Sequence, residues 1–303
     1  MKKILILSVI IVFVVALFIR LSDNRDYGVD SDKLVAKKTE LPDSPSEIID
    51  TSISQKDTAK LDNELDVDNE NEHNTLSLEI AKLSSSKQEQ VLYRKGYVVS
   101  YNPTTKNPNW VAWHLTKEHS NGPWVRDGIP YMVDQDVVGK RQELEDWYDR
   151  DPIIEHGHMC PAADNKWDEE AMIQSFLLTN ICPQNRDLNR GDWDYLENRC
   201  RGWARHFGDI YIVAGPVFFT ENYKTIGANK VGVPDAFFKV LLCMNKKPKA
   251  LGFIYPNESA HHKMPHYLHS VDEVEEITGI DFFFNLPDEL EVEVESSSDI
   301  SKW

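Results

Sequence analysis

The feature that most constrains this chain is a change of texture near residue 90. Residues 22–88 are rich in Ser, Asp, Glu, Asn and Lys, and their apolar residues follow no steady period. Such a stretch buries too little apolar surface to offset the entropy of ordering its backbone, so the sequence predicts a disordered acidic linker. From Val91 onward, β-branched and aromatic residues crowd into runs of strand length: "GYVVSYN", "WVAWHLT", "DIYIVAGPVF", "AFFKVLLC" and "ALGFIYP". Among them, "DEEAMIQSF" opens on acidic residues and reads as a helix. "SVDEVEEITG" carries Ser270 as N-cap, Glu273 at the capping-box position and Gly279 as C-cap. Strands and helices are mixed without a regular strand–helix–strand rhythm. The expected fold class is therefore α+β, a mainly antiparallel central sheet flanked by helices. It spans residues 89–287 and is followed by an acidic tail at 288–303.

The amino end is of another kind. Lys2 and Lys3 precede an apolar run from Ile4 to Ile19, interrupted only by Ser8 and closed by Arg20. Those 16 residues are long for a signal-peptide core and slightly short for a span. No A-x-A-like cleavage site and no lipoprotein cysteine follow. Residues 1–21 are expected to be an uncleaved signal anchor, with a cleaved signal peptide and secretion as the alternative. The lysines favour a cytoplasmic amino end and a body outside the cytoplasm, periplasmic or extracellular.

Charge and cysteines bound the function less sharply. A net charge of -17 counts against simple nucleic-acid binding. However, Leu21 to Gln90 alone holds 17 acidic and 8 basic residues, so the total says little about any one cleft. The four cysteines, Cys160, Cys182, Cys200 and Cys243, form no C-x-x-C pair, which argues against a zinc ribbon or a thioredoxin motif. Two disulfides in an exported domain and four buried thiols both fit.

Three stretches carry the chemistry. In "NRGDWDYLENRCRGWARHFG", a step of about 100° per residue gathers Trp193, Leu196, Cys200, Trp203, Ala204 and Phe207 on one stripe. Glu197 and Arg201 border that stripe, placed either to reach into a cleft or to pair on the surface. "SFLLTNICPQNRDLNRGDW" collects Asn180, Gln184, Asn185 and Asn189 around a proline. Such amides commonly satisfy their own loop, but an amide oxygen is also a hard ligand suited to Mg²⁺. "EHGHMCPAADN" supplies His156 and His158. A neutral imidazole can take a proton from water near neutral pH. Phosphodiester hydrolysis needs that, together with a cation on the phosphate. His158, Asn189 and Glu197 could serve as base, direct metal ligand and ligand through water. A zinc site of His156, His158, Cys160 and Cys182 would consume the base and leave the Asn189–Glu197 spacing unexplained.

Taken together, "EHGHMCPAADN", "FLLTNICPQNRDLNRGDWDYLE" and "IYIVAGPVF" resemble the DNA/RNA non-specific endonucleases. "NPNWVAWHLT" ahead of them and "VGVPDAFFKVLL" after them extend the likeness from about Gly96 to Leu286. These are ββα-metal nucleases, among them secreted sugar-non-specific bacterial enzymes and mitochondrial endonuclease G. The resemblance implies a ββα-metal nuclease fold, one Mg²⁺ (or Mn²⁺), DNA and RNA as substrates, and cleavage leaving a 5′-phosphate. A homodimer is a further implication. Residue by residue, it implies His158 as general base, Asn189 as direct metal ligand and Glu197 as holder of metal-bound water. It also implies Asn180 as support for the site geometry, with Arg201 and Arg126 near the phosphate. Glu155 and His156 stand where the family tetrad D-R-G-H has Asp and Arg, and so fall on the substrate side. Glu keeps the carboxylate, whereas His replaces a permanent cation with a group mostly neutral at pH 7. A slower enzyme or a mildly acid optimum is expected, unless another arginine takes the role. Cys160 and Cys182, each beside a proline, could form a disulfide between the two motif loops or simply pack there.

The expected function is a membrane-tethered, metal-dependent endonuclease without sequence or sugar specificity. The alternatives are a catalytically weak nucleic-acid-binding relative and a phosphodiesterase for small substrates. From Asn180 to Phe207 there are five arginines and four acids, so the site is close to neutral before a cation binds.

Overall fold

The computed structural model describes residues 77–303 except 85, 86 and 246. The expected anchor at 1–21 and the expected linker up to residue 76 fall outside the described residues. Among the described residues, no helix is long and apolar enough to cross a membrane.

In chain order the strands are β1 (Lys82–Leu83), β2 (Gln90–Tyr93), β3 (Val98–Asn102), β4 (Asn107–Thr116), β5 (Ile154–His158), β6 (Ile181–Asn185) and β7 (Asp209–Val217). They continue as β8 (Thr225–Ile226), β9 (Val231–Gly232), β10 (Ala236–Cys243), β11 (Lys249–Pro256), β12 (Leu268–His269) and β13 (Ile280–Asp281). Seven of them form one sheet in the order β12-β11-β10-β7-β4-β3-β2. Every neighbouring pair in it is antiparallel. The five runs quoted above supply β3, β4, β7, β10 and β11, so the expected α+β class with an antiparallel sheet is the class observed.

The central strands read as continuous apolar runs because both faces of the sheet are covered. Along β10, Phe237, Leu241 and Cys243 enter one core, while Phe238, Val240 and Leu242 enter the other. The helix Asp194–Phe207 covers the first face, burying Leu196, Cys200, Trp203 and Ala204, with Trp193 just ahead of it and Phe207 at the margin. That is the stripe expected from the sequence. The helix Val271–Thr278 covers the second face through Val271 and Val274, joined by Val294 of the helix Asp288–Glu295. The capping box forms as expected. Ser270 Oγ accepts from Glu273 N at 3.1 Å, and Ser270 N donates to Glu273 Oε2 at 2.9 Å. Gly279 ends that helix at φ 67°, a left-handed position open to glycine.

The folded region is wider than 89–287. β1 pairs antiparallel with β13, and Ala81 is buried in the second core with Leu78, Ile80 and Leu83 packed against it. The described residues among 77–88, expected within the linker, therefore belong to the domain. Their few apolar residues show no period because they serve one short edge pairing. The acidic stretch 288–303 is likewise folded. It forms a helix, and Trp303 packs edge-on against Trp203 at 5.3 Å and Phe207 at 5.8 Å.

The site is carried by a separate antiparallel hairpin of β5 and β6, in which His158 lies opposite Ile181. After β6 the chain makes one helical turn (Arg186–Leu188), a wider π turn (Asn189–Trp193), and then the long helix. Two strands and a helix thus deliver the quoted motifs to one place. Gly157 lets the hairpin close, since a Cβ there would lie 2.6 Å from Gln184 Cβ.

Candidate active site

A cavity of 840 Å³ opens between the end of β5 and the start of the long helix. Its lining includes Arg126, Glu155, His156, His158, Asn189 and Glu197. Six of the eight residues singled out in the sequence therefore meet there. Asn180 and Arg201 do not line it.

His158 ends β5 and is nearly buried, its ring edge-on to Phe176 at 5.1 Å. Its Nε2 has no hydrogen-bond partner in the protein. Burial, followed by the nearby Arg126 and His156, lowers its pKa to about 3. The imidazole is neutral over the whole physiological range and keeps an acceptor lone pair. Its backbone oxygen accepts from Trp193 Nε1 at 3.3 Å, tying the strand end to the helix entrance.

Asn180 acts one step away. Its Nδ2 donates to Cys160 O at 2.8 Å and Ser175 O at 2.9 Å, and its Oδ1 accepts from Cys160 N at 2.9 Å. With all its polar atoms engaged, it clamps the loop that follows His158.

Asn189 donates from Nδ2 to Glu155 Oε2 at 3.2 Å, which leaves Oδ1 as the end suited to a cation. Glu155 also receives Arg190 Nε at 2.9 Å and Nη2 at 2.5 Å. The expectation that Glu155 binds substrate is thereby corrected. Its two oxygens organise Asn189 and Arg190, a fork geometry that an acidic side chain makes readily with arginine.

Glu197 reaches the cavity from the helix edge, as its place beside the apolar stripe suggested. Desolvation pushes its carboxyl up to about 7, against the opposing pull of Lys239 and Arg201. Lys239 is buried on the first face of β10, its Nζ 4.3 Å from the Trp193 ring centre and 5.4 Å from that of Trp113.

Arg201 departs from its expected role near the phosphate. It is buried, and its Nη1 donates to Asp164 Oδ1 at 2.8 Å while Nη2 donates to Asn198 Oδ1 at 3.0 Å. Asp164 in turn accepts from Trp113 Nε1 at 3.1 Å. A guanidinium held by a buried carboxylate is not free for a phosphate, and Arg201 stiffens the wall behind Glu197 instead.

His156 is held between two rings. Tyr131 stacks on it at 4.1 Å and 11°, and Trp147 at 3.8 Å and 18°. Burial and the neighbouring Arg150 lower its pKa to about 3. It therefore stays neutral at mildly acid pH and does not restore the missing cation there. Arg150 lines the same cavity, and its Nε donates to Ile154 O at 2.7 Å. It also donates from Nη1 to Trp147 O.

Arg150, Arg190 and Lys166 were not singled out from the sequence. Arg190 follows Asn189 directly and could have been found by that adjacency. Lys166 directly follows the quoted "EHGHMCPAADN" and could have been found in the same way, whereas Arg150 reaches the cavity from a loop ahead of it. Four basic residues, Arg126, Arg150, Lys166 and Arg190, face four acidic ones, Asp127, Glu155, Asp194 and Glu197. The cavity is balanced, as the arginine and acid count suggested.

All four cysteines are free and buried. Cys160 and Cys182 pack in the same core as free thiols. The alternative zinc set is not assembled either. Among the described residues, the one close group of three His, Cys, Asp or Glu side chains is Asp272, Glu275 and Glu295, elsewhere in the molecule. The donors at the cavity are an amide oxygen and a carboxylate. They suit a hard cation that keeps several waters, such as Mg²⁺.

A family model of the DNA/RNA non-specific endonucleases matches residues 74–289. The mitochondrial nuclease EXOG of Xenopus laevis is 32% identical over 202 residues, covering 62% of this chain and 56% of its own. Endonuclease G of Bos taurus is 29% identical, covering 69% of this chain and 74% of its own. Nuclease C1 of Cunninghamella echinulata var. echinulata is 35% identical, covering 64% of this chain and 83% of its own. The chain thus spans little more than half the length of the EXOG relative. Among solved structures, the EndoG/EndoGI complex shares the fold at a TM-score of 0.63 and 24% identity, over 67% of this chain and 89% of that chain. With its hairpin, π turn and helix inside the matched residues, the chain belongs to the DNA/RNA non-specific endonuclease family.

Proposed function

We propose that this protein is a metal-dependent endonuclease that hydrolyses phosphodiester bonds in DNA and RNA without sequence or sugar specificity. The observation that carries the reading is that His158, a neutral imidazole, lines the same cavity as Asn189 and Glu197. As water attacks phosphorus its proton passes to His158, while the bond from phosphorus to the leaving oxygen breaks and that oxygen takes up a proton from solvent. Mg²⁺ or Mn²⁺, held by Asn189 directly and by Glu197 through water, would supply positive charge to the phosphate and the leaving oxygen. Asn180 fixes the loop behind His158, and the Glu155–Arg190 pair fixes Asn189. Arg126 and Arg150 face the phosphate. Arg150 takes the part of the tetrad arginine, because His156 is locked neutral between Tyr131 and Trp147. The balanced lining predicts modest affinity; long nucleic acid should still bind with a steep salt slope, whereas a small phosphodiester would show a shallow one.

The test uses the full chain with supercoiled plasmid and with RNA, in Mg²⁺ and in chelator, beside H158A. Both substrates should be cut only with the metal, and H158A should be slower by about 10²–10⁴. Cleavage in chelator, or an H158A variant as fast as the wild type, would overturn the reading. The apolar run at 1–21 supports an anchored protein with its nuclease domain outside the cytoplasm. Protease added to intact cells should then digest the domain, and protection would refute that placement.

A further inference from the structure

The second face of the sheet carries a cluster that the nuclease chemistry does not use. Asp272 and Glu275 lie one turn apart on the helix Val271–Thr278, and Glu295 is the last residue of the helix Asp288–Glu295. One carboxylate oxygen from each lies within 4.8 Å of the others. Glu295 is 3% exposed, and its Oε1 has no hydrogen-bond partner. A carboxylate in that state has left its hydration behind without replacement, a costly condition that calls for a proton or a cation.

The surroundings sharpen the choice. Glu295 sits at a helix C-terminus, where the carbonyl end of the dipole disfavours an anion and favours a cation. Asp281 and Glu291 add further negative charge. Two basic side chains come near by register or contact: Lys82 lies opposite Asp281 in the β1–β13 pair, and Lys87 Nζ donates to Thr278 O at 2.7 Å at the far end of the helix. Among the described residues, none of the three carboxylates forms an ion pair, whereas the neighbouring Glu273 meets His269 at 3.4 Å. Burial first, then mutual repulsion, pushes Glu295 up to about 9; burial pushes Glu275 up to about 7.

We propose that Asp272, Glu275 and Glu295 form a structural site for an oxygen-seeking divalent cation of the calcium type, which ties the C-terminal helix to the domain. The donor set contains no imidazole or thiolate, so zinc is disfavoured. Calcium accepts irregular shells of carboxylate and water oxygens, whereas magnesium demands a near-ideal octahedron. One oxygen of Glu275 is already fixed by Phe282 N at 2.7 Å, which leaves the other for the ion. Asp272 is exposed, providing both an entry path and room for water ligands.

The experiment is thermal unfolding of the full chain at pH 7.5 in chelator and in calcium at about 1 mM, the weak end of such sites. It is run on the wild type and on N189A, D272N and E295Q. Calcium should raise the unfolding midpoint by on the order of 5 °C in the wild type. N189A, which alters the cavity on the other face, should respond equally. D272N and E295Q should lose the response. D272N changes an exposed side chain, so it keeps the test decisive if E295Q folds poorly. No rise in the wild type would overturn the proposal, leaving a shared proton as the answer to the buried charge. A rise that persists in D272N, or that disappears in N189A, would overturn it as well.

Discussion

Two glutamates lie against opposite faces of one sheet, and their surroundings treat them differently. Glu197, on the first face, is desolvated but has Lys239 and Arg201 nearby, and its carboxyl rests at about 7. Glu295, on the second, is desolvated among Glu275, Glu291, Asp272 and Asp281, and rises to about 9. Burial raises both. The sign of the interior charge beside each decides whether the group ionises near neutrality. The first arrangement keeps a carboxylate usable at the edge of a cavity. The second leaves one that needs a proton or a cation.

That contrast can be broken from either side. The largest effect belongs to the cavity itself: H158A removes the acceptor nitrogen and should slow plasmid nicking by about 10²–10⁴ at every pH tested. Any acid limb in the wild type should follow Glu197, whose carboxyl burial raises, and not His158, whose imidazole burial lowers. K239M should make Glu197 resemble Glu295. The acid limb should move to higher pH. An unmoved pH profile in K239M would show that Lys239 does not set the Glu197 ionisation.

Smaller effects test the phosphate side and the second face. R150A should lower kcat/KM for plasmid by about 10-fold, roughly one charged hydrogen bond to a phosphate. H156A should not shift the pH optimum, because His156 is already neutral above about 3. In chelator, the raised Glu275 and Glu295 contribute stability that is fully present below 4.5, their ordinary value, and is lost as pH rises through about 7 and about 9. E295Q should flatten that decline. A decline of equal slope in E295Q would assign it to other groups.

Local features of the molecule were legible in advance. The Ser270–Glu273 box and the Gly279 stop formed as written, since both depend on contacts within one helical turn. The stripe of Trp193, Leu196, Cys200, Trp203 and Ala204 is buried as its period implied. The motif residues His158, Asn189 and Glu197 meet in one cavity. β1 escaped notice because its pairing with β13 joins segments nearly 200 residues apart and leaves no period in either. Lys239 escaped for a similar reason, since the Glu197 it acts on lies 42 residues away along the chain.

The sequence by itself determined the antiparallel α+β class, the boundaries of the Val271–Thr278 helix and the residue types gathered around His158. These follow from side-chain periodicity, capping and short-range order, which are properties of neighbours along the chain. Only the tertiary structure decided which charges meet. Arg201 is committed to Asp164, Glu155 to Arg190, and His156 to a slot between two rings. Glu295 is left with other acids. Electrostatic energy depends on distance and burial, and both are set by residues far apart in the chain that the fold alone brings together.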